Sequence, residues 1–258
     1  MNSKVNYHTH TFRCKHADGT EKDYVLEALK KNFKKLGFSD HGPYPDDRFG
    51  FRMDYCELND YVNTVKNLEK EFEDKLNISV GLEIEYDPNS HEYYKYLLNE
   101  LRIDYLALGQ HMFLENNEFT NTYFLTDTKQ YLTYAKSIKS ALSTGFFKFV
   151  AHPDLIFIND LPWDDNCDKA SSIIIEAAKK YDSILELNAN GIRRGLNTYC
   201  DGTRYPYPHR KFWDKASSNN IKVLINSDCH SPNQLWDEKM DDAYSLANEL
   251  NLNIVYDI

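Results

Sequence analysis

Apolar and polar positions along the chain follow two alternating periods. Short apolar runs fall at residues 4–10, 36–41, 78–86, 105–113, 147–154, 184–190 and 221–230, and their length and composition predict strands. Helical spacing fills the intervals at 21–35, 57–75, 91–102, 129–144, 168–181, 209–219 and 237–250. In the first interval Val25, Leu29, Phe33 and Leu36 lie close to a single helical stripe, so the helix is expected to run on to residue 35. Strands alternating with helices predict βαβ units and a parallel sheet, an α/β fold. No Gly/Ser/Pro-rich linker, repeat or low-complexity tract divides the chain, so residues 1–258 are expected to form one domain. Two stretches, 40–54 and 191–210, read as long loops, which in compact domains are disproportionately functional.

Composition narrows the class. A chain of 258 residues suits a single (β/α) barrel, and 41% apolar with 27% charged residues is ordinary globular composition. Most of the 19 tyrosines are expected to be amphipathic residues at the edge of the core. A net charge of −10 without a basic stripe argues against a nucleic-acid partner, but it leaves a small phosphorylated substrate open, because bound metal ions can invert the local field. The start MNSKVNYHTH has no apolar signal core, and no run approaches the roughly 18 apolar residues that span a bilayer, so no membrane partner and a cytoplasmic location are expected. Cys14, Cys56, Cys167, Cys200 and Cys229 are odd in number and irregularly spaced, which predicts reduced thiols.

The histidines carry the chemistry. His8, His10, His16, His41, His111, His152 and His230 all fall at or just beyond the end of a predicted strand, whereas His91 and His209 lie near helix starts. Strand ends of a parallel barrel open onto one face, so these seven residues should converge there. His8 and His10 are two apart, as are Asp228 and His230, and side chains at i and i+2 of an extended strand point the same way. By the same period Thr9 and Cys229 point away. Glu83 and Glu85 share a face, and periodicity does not choose between them. Imidazoles with a few carboxylates suit zinc, manganese or iron rather than the oxygen-dominated sites of magnesium and calcium.

These motifs resemble those of the PHP (polymerase and histidinol phosphatase) superfamily, and within it the monofunctional histidinol-phosphate phosphatases. The resemblance rests on His8-Thr9-His10, the HADG segment carrying His16, Asp40-His41, Gly81-Leu82-Glu83, Gly109-Gln110-His111, His152-Pro153 and Ser227-Asp228-Cys229-His230, in family order from residue 5 to about 235. It implies a distorted (β/α)7 TIM-like barrel of PHP type and three divalent transition-metal ions (Zn, Mn or Fe). One ion would be held by His8, His10, Glu83 and Asp228, a second by His111 and His152 with Glu83 bridging, and a third by His16, His41 and His230. The resemblance selects Glu83 over Glu85 and gives Glu83, Asp228 and His111 catalytic roles. Glu85 is left as a supporting or substrate-facing group.

Three ions held by two carboxylates would carry a formal charge of roughly +4, enough to attract a phosphate dianion. Clustered ions can activate a water and stabilise the leaving alkoxide, so the resemblance implies phosphomonoester hydrolysis. Glu186-Leu187-Asn188, Gly191-Ile192-Arg193 and Phe51-Arg52-Met53 resemble elements of the histidinol-phosphate phosphatases. The substrate-binding candidates are therefore Arg193 first, then Arg52 and Arg194, because an arginine fork suits phosphate. The alternatives are a phosphoesterase acting on phosphotyrosine or a nucleotide, and a non-catalytic metal-binding module. No motif position departs from the ligand pattern in the way the last would require.

Overall fold

The computed structural model describes residues 4–258; the expectation of no signal core falls partly on residues 1–3, outside the described residues. Eight strands form one parallel sheet: β1 (Lys4–Asn6), β2 (Phe33–Phe38), β3 (Asn77–Ile84), β4 (Tyr105–Leu108), β7 (Phe147–Val150), β8 (Ile184–Asn188), β11 (Lys222–Asn226) and β12 (Asn253–Ile254), hydrogen-bonded in that order. Two antiparallel hairpins lie outside it, β5 (Met112–Glu115) with β6 (Glu118–Asn121), and β9 (Asn197–Tyr199) with β10 (Gly202–Arg204). The helices are α1 (Glu21–Lys30), α2 (Leu58–Phe72), α3 (His91–Lys95), α4 (Lys129–Thr144), α5 (Asp165–Lys180), α6 (Ala189–Arg193), α7 (Arg210–Ser218) and α8 (Glu238–Glu249).

The sheet curls until its first and seventh strands meet. No regular ladder joins β1 to β11; the chain just beyond them does so through a parallel bridge between Thr9 and Cys229, with His10 N donating to Cys229 O at 3.1 Å. Two asparagine side chains supply the rest of the seam. Asn226 Oδ1 accepts from Tyr7 N at 2.9 Å, and Asn6 Oδ1 accepts from Ser227 N at 2.7 Å. Side-chain amides thus satisfy backbone donors that a ladder would otherwise pair. Seven strands close the barrel as a distorted TIM-like fold, and β12 adds an eighth outside the ring.

Two apolar cores follow from this closure. One fills the space between strands and helices; α2, for example, buries Leu58, Tyr61, Val62, Val65, Leu68 and Phe72 at helical spacing. The other lies inside the barrel and contains Val5, Tyr7, Tyr105, Ala107, Phe149, Ala151, Ile184 and Leu224. Tyr105 crosses this interior, its hydroxyl within 2.7 Å of Tyr7 O and 2.9 Å of Phe38 O. Glycine is required beside it, since a Cβ on Gly81 would stand 2.3 Å from the ring and one on Gly37 would stand 2.4 Å from the hydroxyl. The C-terminal residues Val255, Tyr256 and Ile258 pack against the same interior cluster. The interior is thus filled with apolar side chains, and the polar strand ends gather at the opposite mouth.

Four expectations are corrected. The first helix stops at Lys30, where Asn32 takes a left-handed φ of 60°, and Phe33 and Leu36 belong to β2. Pairing with β1 and β3 and burial of Phe33 outweigh the accidental continuation of the helical stripe. The run 105–113 is two strands, not one, because the chain turns at Gly109 into the β5–β6 hairpin. The predicted loop 191–210 contains the end of α6 and the β9–β10 hairpin. The eighth strand, β12, has no counterpart among the predicted elements. By contrast, α4 runs over the predicted interval and ends on Gly145 at φ 73°.

Candidate metal centre

Each of the seven ring strands delivers polar side chains to the open mouth. His8 and His10 follow β1, Asp40 and His41 follow β2, Glu83 lies in β3 with Glu85 just beyond it, and His111 follows β4. His152 follows β7, Glu186 and Asn188 lie in β8, and Asp228 and His230 follow β11. His16 arrives from the turn after β1, exposed at the rim, and its Nε2 lies 3.0 Å from His230 Nε2. The structure therefore brings all nine sequence-nominated ligand positions together.

Glu83 stands at the centre and is 1% exposed. Its Oε1 lies 2.9 Å from His152 Nε2 and 3.5 Å from His111 Nε2. Its Oε2 lies 2.9 Å from His41 Nδ1, 3.4 Å from His8 Nε2 and 3.6 Å from His10 Nε2. Asp228 Oδ1 approaches His10 Nε2 at 3.1 Å and His8 Nε2 at 3.6 Å. Gly109 makes room, because a Cβ there would stand 2.2 Å from Glu83 Oε1.

Several of these atoms are buried and have no hydrogen-bond partner: His8 Nε2, His10 Nε2, His41 Nδ1 and Glu83 Oε2. Buried polar atoms are ordinarily satisfied, so four orphans facing one another are the mark of a site for cations. Ligand-capable atoms gather in overlapping sets within 4.8 Å, among them His8, His10 and Asp228; His8, Glu83 and His152; His10, His41 and Glu83; and His16, His41 and His230. The last set coincides with the grouping implied for a third ion. His10 and His230 also group with the buried Cys14.

Electrostatics hold the carboxylates ionised and His10 neutral. Burial would lower His8 and His152, but Glu186 with Asp228 outweighs it to raise His8 and Glu83 does the same to His152, so an ion bound there would displace a proton. Burial would raise the Glu83 carboxyl, but His111, His8 and His41 outweigh it and hold the group well below the usual range. Asp228 is held down in the same way, chiefly by His8. Burial and the neighbouring His230 press His10 down to about 3, leaving a neutral imidazole. Ionised carboxylates and neutral imidazoles are the forms that bind metals. Burial of Asp40 acts the other way and lifts it to about 7; this residue accepts from Thr11 N and does not face the cluster's centre.

Two of the cluster's residues hold a strained backbone. His152 has φ 29° and Asp228 has φ 48°, conformations that cost a non-glycine residue on the order of 1–3 kcal/mol and persist where surrounding contacts impose them. Asp228 Oδ2 accepts from Asn188 Nδ2 at 3.1 Å and Asn190 Nδ2 at 3.3 Å.

Above the cluster opens a cavity of about 750 Å³. His41, His111, His152 and Asp228 contribute to its lining, together with Arg52, Arg194, Tyr123, Tyr207, Phe49, Phe51 and Phe124. Arg194 lies over the rings of Tyr123 and Tyr207, 6.0 and 5.8 Å from their centroids. Arg52 pairs with Glu85, whose Oε1 is also 3.2 Å from His111 Nδ1. Arg193 is the correction: it does not line the cavity, and its guanidinium is taken up by Asp237 and Ser227. Arg194, ranked behind it in the sequence, occupies the wall instead. In the sequence Glu186 stands out only as part of Glu186-Leu187-Asn188, yet it is wholly buried beneath the histidines. A polar residue inside an otherwise apolar parallel strand was the available signal.

Among the described residues no helix is long and apolar enough to cross a membrane, and all five cysteines are free. Residues 6–190 match the PHP domain. The histidinol-phosphatase of Bacillus subtilis is 27% identical over 256 residues, covering 88% of this chain and 93% of that protein. A Deinococcus radiodurans relative named "Probable histidinol-phosphatase" is 25% identical, covering 91% of this chain and 89% of its own length. Among solved structures, histidinol phosphate phosphatase of Lactococcus lactis, complexed with zinc, L-histidinol and phosphate, superposes with a TM-score of 0.72 at 15% identity, covering 98% of this chain and 95% of that one.

Proposed function

The chain belongs to the PHP domain family, and on that premise we propose that it is a metal-dependent phosphatase that hydrolyses histidinol phosphate to histidinol and phosphate. The observation that carries this reading is the set of buried, unpartnered ligand atoms around Glu83 at the floor of the cavity. The donor set fits divalent ions. His8, His10, Glu83 and Asp228 would hold one, His111 and His152 with Glu83 a second, and His16, His41 and His230 a third, with zinc, manganese or iron suited to so many imidazoles. Bound ions at such a centre supply Lewis acidity and a nucleophile from water at neutral pH.

The chain's own groups define where the ester sits. Arg194 and Arg52 place guanidinium groups on the cavity wall above the histidines, a suitable pair for the oxygens of a phosphate. Tyr123 and Tyr207 keep Arg194 in place by stacking beneath it. The aromatic residues Phe49, Phe51 and Phe124 give the mouth an apolar edge, compatible with a small organic leaving group such as an imidazolyl amino alcohol. Bulk negative charge at −10 and a cavity of this size favour a small phosphomonoester over a nucleic acid.

Phosphate release measured side by side from histidinol phosphate, phosphotyrosine and a nucleoside monophosphate tests the reading. Preference for histidinol phosphate, abolished by strong chelation and restored by zinc or manganese, is the expected result. Turnover of phosphotyrosine alone would move the substrate assignment, and full activity in metal-free protein would refute the metal reading.

A further inference from the structure

Glu186 sits in β8 with no exposed surface, and four hydrogen bonds converge on its two oxygens. Oε1 accepts from His8 Nδ1 and from Asn226 Nδ2, each at 2.8 Å. Oε2 accepts from the backbone N of His152 at 2.9 Å and from Asn188 Nδ2 at 2.7 Å. One carboxylate therefore ties the end of β1, the end of β7 and the end of β11 to its own strand.

An ionised carboxylate only accepts, so the hydrogen of the His8 ring must sit on Nδ1. That leaves Nε2 as the nitrogen directed into the cluster and available to an ion, 3.4 Å from Glu83 Oε2 and 3.6 Å from Asp228 Oδ1, where it has no hydrogen-bond partner. The bond to His152 N acts on the backbone. It helps to hold that residue at φ 29°, from which its Nε2 reaches Glu83 at 2.9 Å. Asn226 joins the barrel seam to the same group, since its Oδ1 accepts from Tyr7 N while its Nδ2 donates to Glu186.

We propose that Glu186 is a positioning residue for the metal centre, fixing which nitrogen of His8 faces the ions and pinning the backbone that presents His152. The proposal rests on the reading of the cluster as a metal centre. A carboxylate behind a ligating imidazole raises its basicity and sets its orientation, and loss of such a partner lowers metal affinity by roughly 10- to 100-fold.

Glu186→Gln is the test, because the amide keeps the shape while replacing one acceptor with a donor. Placed at Oε2, the new NH2 would oppose the His152 and Asn188 donors. Placed at Oε1 it would oppose Asn226 and drive the His8 hydrogen onto Nε2. The probe is zinc, titrated against a chelator. The variant is expected to bind at least one zinc 10- to 100-fold more weakly than the natural chain. In the natural zinc-loaded protein, nitrogen-15 NMR of the histidine rings should find the His8 hydrogen on Nδ1. Unchanged zinc affinity in a folded variant overturns the proposal. So does a His8 ring carrying its hydrogen on Nε2 in the natural protein, a measurement that decides even where the variant does not fold. A natural protein that binds no zinc would refute the metal centre itself, which is a separate outcome.

Discussion

Asp237 holds Arg193 through two parallel hydrogen bonds, Nε to Oδ2 at 2.9 Å and Nη2 to Oδ1 at 3.1 Å, and the same carboxylate caps α8 by accepting from the amides of Lys239 and Met240. Arg193 also donates to Ser227 O at 3.0 Å and to Ser227 Oγ at 3.1 Å. Its donors are thus committed to the segment next to Asp228 and to the start of α8. Opposite charge near a helix N-terminus and a bidentate fork both favour this arrangement. The guanidinium is a brace for the strand end that carries Asp228.

Arg193→Ala should therefore lower stability by about 1–3 kcal/mol, the loss associated with charged hydrogen bonds that are only partly exposed. Arg194→Ala should leave the melting temperature nearly unchanged and raise KM for histidinol phosphate. Thermal denaturation and steady-state kinetics on both variants separate the two roles. A raised KM with unchanged stability in Arg193→Ala would return the phosphate contact to that residue.

The choice between these neighbours shows where sequence reasoning stops. Adjacent residues at a helix end point about 100° apart, so Arg193 and Arg194 leave α6 in different directions. Which of them lines the cavity depends on how the five-residue α6 packs beside α8, and no local pattern encodes that. His8 and His10 were legible because two-residue spacing in an extended chain survives even though β1 itself ends at Asn6, whereas Asp228 and His230 meet although Asp228 leaves the extended conformation at φ 48°. The parallel barrel was legible from alternation. Its closure was not, because it rests on Asn6, Asn226 and a single bridge rather than on a strand of recognisable length. Likewise β12, with only Asn253 and Ile254, is too short to leave a pattern.

Gly109→Ala is expected to disturb the centre without touching a ligand. Its added Cβ would fall 2.2 Å from Glu83 Oε1, and both the strand and the carboxylate are packed too tightly to yield freely. Overpacking of this kind costs about 1–3 kcal/mol. Zinc titration should show weakened binding along with a lower melting temperature. Unaltered binding would mean that Glu83 can turn aside and still serve.

His209 predicts a pH dependence away from the centre. Its ring stacks on Trp163 with centroids 4.5 Å apart, its Nε2 is 3.3 Å from Asp201 Oδ2, and burial followed by the charge of Arg204 presses its pKa down from 6.5 to about 4. The folded state thus resists a proton that the unfolded chain accepts. Its contribution is complete above about 6.5 and is lost as pH falls towards 4. Denaturant melts of metal-free protein at pH 7 and pH 4.5 should show a smaller loss in His209→Gln than in the natural chain. Equal losses would assign the acid sensitivity to other groups.

The sharpest comparison is between Glu83, in β3, and Glu85, two residues on and just beyond the strand's end, both 1% exposed. Glu83 divides its oxygens between two groups of imidazoles, Oε1 towards His152 and His111 and Oε2 towards His41, His8 and His10. Glu85 faces Arg52 and the far nitrogen of His111. A carboxylate placed between two ions lends negative charge to both and sets their separation, so it is the hardest member of the set to replace. Glu83→Gln preserves volume and removes that charge; it should lose metal occupancy and nearly all turnover. Glu85→Gln should keep its metals, because His111 still presents Nε2 to the cluster, and should show its defect in substrate binding through a loosened Arg52. Metal analysis by mass spectrometry on both proteins, with kcat and KM measured in parallel, gives the answer. Full occupancy and activity in Glu83→Gln beside loss of both in Glu85→Gln would place the centre one residue pair further along the strand.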